Sequence, residues 1–220
     1  MAARPSPGAV AKGPHDVVEA ATGCYLRGEP LDMSALAAQL GIGRATLYRW
    51  VGNREELLAR VIAETSERTF RTVVKDARGE GVAFVVDAIG RFMRAVASAE
   101  PLAVLTQREP LLFIRLAMSP GVIEERAASF VGELLDHVVA AGRLELQLPV
   151  PVMAEAIVRL CDAHLYANLL GRAAPEINTA LDLVTLLLGS RPASATATTT
   201  ATTTPSASTT PASTTAATTS

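Results

Sequence analysis

Apolar residues recur at spacings of three and four along most of this chain, while alternation of period two never runs beyond a few residues. That spacing collects them on one face of an α-helix. Leu57, Val61, Phe70 and Val74 mark one long helix, and Val82, Val85, Ile89, Phe92 and Val96 mark another. A third repeats apolar pairs every few residues, from Val122/Ile123 through Phe130/Val131 and Leu134/Leu135 to Val138/Val139. Met153, Ile157, Leu160 and His164 open a fourth, and Ile177, Leu181, Val184 and Leu188 form a seam along a fifth. Breaks are expected at Gly79 and Gly81, Pro101, Pro110, Pro120, Gly142, Pro149 with Pro151, and Gly171 with Pro175. The pattern predicts an all-α chain of about nine helices and no sheet.

Both ends depart from it. Residues 190–220 are almost wholly Thr, Ala, Ser and Pro, too poor in apolar surface to offset the entropy of ordering, and are expected to form a disordered tail. Residues 1–13, with Pro5, Pro7, Gly8 and Gly13, read as a flexible arm.

The informative stretch is LDMSALAAQLGIGRATLYRWVGNREELL, Leu31 to Leu58. Asp32 is a good N-cap for a helix of barely two turns whose inner face is Leu36, Ala37 and Leu40. Gly41 sits where the helix needs a left-handed residue to end, and Ile42 follows as an apolar plug. A second short helix is expected from about Arg44 to Trp50. Two short helices on a glycine turn make a helix-turn-helix, whose second helix enters the major groove. Asn53 and Glu56 then form a variant capping box at the start of the long helix.

The segment LAAQLGIGRATLYRWVGNREELL resembles the DNA-binding segment of TetR-family transcriptional regulators, with Thr46-Leu47-Tyr48 at its centre. Gly43 stands where the family often has Ser or Thr, and Val51 where it often has Phe. The resemblance implies that Leu47 faces inward, and that Thr46, Tyr48, Arg49 and Arg54 contact phosphates, which fixes register without reading sequence. Arg44 is the candidate to fork onto guanine O6 and N7, and Ala45 or the Thr46 methyl to pack on a thymine methyl. Trp50 reads as a packing residue.

The resemblance also implies a homodimer on a palindromic double-stranded operator, released by a small-molecule effector of unknown identity, with repression as the expected sign. It divides the chain into a helix-turn-helix domain with its connecting helix, 14–75, and an effector-binding and dimerisation domain, 76–189. The last two helices are the expected dimer surface, through Ile157, Leu165, Asn168, Ile177, Leu181, Val184 and Leu188. Candidates for the effector pocket are Ile89, Phe92, Met93, Phe113, Met118, Phe130, Leu134, His137, Cys161 and His164. Gly90 and Gly132 interrupt helices at a cost of roughly 1 kcal/mol each, which implies close helix contact or space kept for a ligand. Around IVRLCDAHLYANLLGRAAPEI, Ile157 to Ile177, the chain further resembles the QsdR-type subgroup.

Composition adjusts this picture only locally. Twenty Lys and Arg against 22 Asp and Glu give a net charge of −2, so no broad basic field advertises nucleic acid. Yet the recognition helix holds Arg44 and Arg49 and no acid. Only Lys12 and Lys75 are lysines, and the arginine bias is mostly a coding habit that finds specific use at Arg44, Arg49 and Arg54. Cys24 and Cys161 are too far apart for a redox pair, and His137 and His164 lack ligand spacing, so neither metal nor cofactor is expected. With no signal-like start and no long uncharged apolar run, the chain is expected to be cytoplasmic, with no membrane partner. No Gly-x-Ser-x-Gly, Walker loop or His-Glu-x-x-His supports an enzyme. The alternative left open is a helical small-molecule-binding protein or an enzyme without a functional DNA module.

Overall fold

The computed structural model describes residues 13–189. The expected arm before Gly13 and the expected tail from 190 lie outside the described residues. Ten α-helices and one 3-10 turn follow in order, with no strand among the described residues. They are α1 (Pro14–Leu26), α2 (Met33–Gln39), α3 (Arg44–Val51), α4 (Arg54–Val74), α5 (Val82–Ala97), α6 (Glu100–Arg108), α7 (Pro110–Met118), α8 (Val122–Ala140), α9 (Val150–Leu165), the 3-10 turn Ala167–Leu170 and α10 (Ile177–Gly189). The all-α reading holds, with one more helix than the sequence suggested.

Proline sets many of these boundaries from inside. Pro14, Pro101, Pro110 and Pro151 occupy the first or second position of α1, α6, α7 and α9, where a missing N–H costs nothing. Pro110 therefore starts a helix instead of merely ending one, and residues 100–118 form two short helices joined at Glu109. The capping box is present in full: Asn53 Oδ1 accepts from the Glu56 amide at 2.9 Å, and Glu56 Oε2 accepts from the Asn53 amide at 3.2 Å. Asp32 caps α2 by accepting from the Ser34 and Ala35 amides at 2.7 and 3.0 Å.

Two apolar cores result. In the first, α1 to α3 surround the start of α4, with Val17, Ala21, Leu47, Val51, Leu57 and Val61 all without solvent exposure. Leu105 of α6 and Phe113 and Ala117 of α7 complete this core, so α1 to α4 do not close on themselves. The second core takes Phe70 from α4 together with apolar faces of α5, α8, α9 and α10. Tyr166 packs against both, and its ring meets Phe113 edge-on at 5.0 Å.

The seam of α10 turns inward. Val184 is fully buried and Leu188 nearly so, while Ile177 and Leu181 pack half-buried on the second core. Ile157 and Leu165 of α9 are buried in the same core, and only Asn168 of the expected dimer residues is exposed. Most of the residues expected at the dimer surface thus pack against α5 and α9 of the same chain. The outward face carries Leu183 and Leu186 on α10 and Val152 on α9.

The two helical glycines also separate. A Cβ on Gly90 would stand 2.9 Å from Leu181 Cδ1, so this glycine permits the close crossing of α5 and α10. A Cβ on Gly132 would meet Val150 and Ala154 at 3.8 and 3.9 Å, an ordinary contact. Gly132→Ala is therefore expected to stabilise the chain by up to about 1 kcal/mol through helix propensity, a Tm rise of roughly 2–4 °C. Gly90→Ala, which crowds Leu181, is expected to bring no such gain; thermal unfolding of the two variants checks the contrast.

Candidate functional site

Burial on one side fixes how α3 is held. Leu47 and Val51, one turn apart, are fully buried in the first core, where α3 packs on α1 and α2, and Trp50 packs half-buried beside them. With that side fixed, Arg44, Ala45, Tyr48 and Arg49 occupy a contiguous exposed arc of the helix, and Thr46 lies half-buried at its margin. Gly43 contributes no side-chain cap, which leaves the first-turn amides of α3 without an intrahelical or side-chain partner. Gly41 and Gly52 adopt positive φ, 65° and 75°, and so give the turns on either side of α3 their sharpness. The acids near this surface are engaged: Asp32 caps α2, Glu56 closes the capping box, and Glu55 pairs with Arg115.

Arg54 departs from expectation. Its Nε donates to the Leu31 carbonyl at 2.9 Å, and its two terminal nitrogens donate to the two Glu109 oxygens at 2.9 and 2.5 Å. The guanidinium is spent on a bidentate bond that joins the start of α4 to the α6–α7 joint, not directed at an external phosphate. Arg54 beside it holds the Glu109 carboxyl below the ordinary glutamate range. Glu109, Arg108 and Arg115 were not legible as partners, because separations of 55, 80 and 60 residues carry no local signal.

The effector candidates divide. Ile89, Met93, Phe130, Leu134 and Cys161 are buried together in the second core, with Phe92 packed against them. Phe70, Phe92 and Phe130 interlock there, with ring centroids 4.5 to 5.9 Å apart. Burial pushes the Cys161 thiol up to about 12, which makes it an inert apolar group at neutral pH. The other four lie elsewhere. Phe113 belongs to the first core because α7 packs on the reading domain. Met118 and His137 are exposed, on turns of α7 and α8 that face away from the second core. His164 is half-buried and its Nδ1 meets Glu176 Oε2 at 3.1 Å, a contact that ties the end of α9 to the approach to α10.

Asp162, one turn before Tyr166 on α9, escaped the sequence reading. Burial, with the negative charge of Glu124 nearby adding to it, pushes this carboxyl up to about 7. Burial likewise raises the Tyr166 hydroxyl, beside Asp162, and takes Tyr25 up to about 12. Among the described residues no group of His, Cys, Asp and Glu is arranged to hold a metal ion, and no helix is long and apolar enough to cross a membrane.

Residues 80–189 match the family model described as "Tetracyclin repressor-like, C-terminal domain". Among solved structures, the transcriptional repressor QsdR of the TetR family from R. erythropolis is 54% identical and superposes with a TM-score of 0.79. That match covers 80% of this chain and 94% of that one. The TetR-family repressor AlkX from Dietzia sp. strain DQ12-45-1b shares the fold at 23% identity and a TM-score of 0.58, over 85% of this chain and 96% of that one. No curated protein matches.

The Asp162 geometry has a consequence for stability. Its folded pKa lies above the unfolded value near 3.9, so the folded chain holds the extra proton between the two, and stability falls as pH rises through that window. Asp162→Asn removes the titration and is expected to add at least about 1 kcal/mol at pH 8, a Tm rise of roughly 2–4 °C. It should do much less near pH 5; melting curves across that range check the slope.

Proposed function

The chain belongs to the TetR family of transcriptional regulators, and from that premise we propose that it is a dimeric, sequence-specific DNA-binding repressor released by a small-molecule effector. Members of this family are transcription factors and not enzymes, and the similar chain from R. erythropolis is itself a transcriptional repressor. The observation that carries the DNA-binding part is the exposed arc of α3, held over fully buried Leu47 and Val51. In this reading Arg44 forks onto guanine O6 and N7, and Ala45 with the Thr46 methyl packs on a thymine methyl. Tyr48, Arg49 and the first-turn amides of α3 take phosphate oxygens. Arg54 keeps its place in the fold and touches no phosphate.

Dimerisation supplies the second reading helix, since a two-fold protein matches a palindromic site. The surface that suits it is the outer face of α9 and α10, where Leu186 is 64%, Val152 49% and Leu183 37% exposed. Ala156 and Ala163, exposed on α9, are small enough to let a second copy approach closely. The effector reading rests on the second core: Ile89, Phe92, Met93, Phe130, Leu134 and Cys161 would line a largely apolar site once the phenylalanine rings part. The domain division at 75/76 then separates two roles, while packing joins them.

Gel shift on duplexes from the DNA flanking its own gene, at two salt concentrations, tests this. Arg44→Ala is expected to relax discrimination at one base pair by about 1–3 kcal/mol. Arg49→Ala should weaken all sequences alike and lower the salt slope by about 1. Leu183→Glu with Leu186→Glu should give a monomer in sedimentation that no longer shifts the duplex. A wild-type chain without salt-dependent, sequence-selective binding would sink the proposal.

A further inference from the structure

Three contacts cross from the reading domain to the α6–α7 hairpin, and each places an arginine across the joint. Arg54 forks onto Glu109, Arg108 Nη1 donates to the Gly28 carbonyl at 2.6 Å, and Arg115 pairs with Glu55. They bracket the domain at two points: the turn after α1, residues 27–32, and the first turn of α4. Arg54 joins those two points to each other as well, through its bond to the Leu31 carbonyl. Close packing reinforces the joint. A Cβ on Gly28, where φ is +66°, would touch the Val104 methyls at 3.5 Å. Leu105 and Phe113, on either side of Glu109, are buried in the reading domain's own core.

The chemistry of these contacts is not uniform. Arg115 and Glu55 are both largely exposed, so their pair is screened by solvent and contributes little. Arg54 and Glu109 are each only about a third exposed and meet through two parallel bonds, which fixes orientation as well as distance. Glu109 is also the one residue linking α6 to α7, with φ −137° and ψ 59° outside helical values. A change in the angle between those helices therefore acts first on the carboxylate that Arg54 holds.

We propose that Glu109 is a positioning residue for DNA reading: by gripping Arg54 at the α6–α7 joint it sets the pitch of α3. The inference rests on the DNA-binding reading of α3. It gives Arg54 a role within the fold in place of phosphate contact.

The two roles for Arg54 predict opposite signs. Removing an acid near DNA by Glu109→Gln would tighten binding if only charge mattered. With the grip lost, the reading helix becomes less ordered and operator binding is expected to weaken about tenfold, with the salt slope unchanged. Arg54→Gln should do the same, and the exchanged pair Arg54→Glu with Glu109→Arg should restore affinity to within about threefold of wild type. Hydrogen exchange gives a readout that needs no DNA: the bonded amides of Gly28, Glu29, Glu56 and Leu57 should exchange faster in Glu109→Gln, while those of the second core stay as in wild type. Unchanged exchange at those amides overturns the proposal. So does tighter or unaltered operator binding by Glu109→Gln, or a lower salt slope in Arg54→Gln without rescue by the exchanged pair. Should the wild-type chain bind no operator, the DNA-binding reading fails, and the exchange data still decide whether Glu109 holds the reading domain.

Discussion

One helix belongs to both apolar cores, and the rest of the architecture depends on it. The first half of α4 gives Leu57, Leu58, Val61 and Ile62 to the core under the recognition helix, and Phe70 in its second half enters the other. Its 21 residues form a rod about 30 Å long. Its start is pinned by the capping box, and its far half is tied to α8 through Glu67, which bonds both Arg71 and Arg126. Neither core can shift without displacing apolar side chains of the same rod, and close-packed interiors resist continuous deformation. A small rearrangement in one therefore reaches the other as rigid displacement.

A second path runs beside the rod. Leu105, Phe113 and Ala117 from the α6–α7 hairpin fill space that α1 to α4 leave open, and Tyr166 closes the gap between hairpin and α9. Packing along this path is apolar, but its orientation is set by the Arg54–Glu109 fork. The division of labour follows from the physics: burial supplies adhesion without direction, and a bidentate ion pair supplies direction with modest net energy.

How much of this was legible depended on range. Local grammar was clear in the sequence: Asp32 as cap, Gly41 as turn, Asn53 with Glu56 as capping box, and Leu47 as inward anchor all stand as read. Helical periodicity also found the right apolar faces, but it says only that a face is covered, not by what. Hence the α10 seam, read as awaiting a second copy, is covered by α5 and α9 of its own chain. The same limit hid that Phe113 packs in the first core and that Met118 and His137 are exposed. The partner of Arg54 was hidden for a related reason. A guanidinium serves a phosphate or a carboxylate equally well, and the carboxylate stood 55 residues away in the chain.

Trp50 has a practical property. It is the only tryptophan in the sequence, and it sits half-buried on the recognition helix, against the core that α1 to α4 share with the hairpin. The second core holds phenylalanines and no tryptophan. Intrinsic indole emission from this protein is therefore a single-site optical report on the reading domain. A compound taken up among Phe70, Phe92 and Phe130 would have to act through α4 or the α6–α7 joint before that light changed.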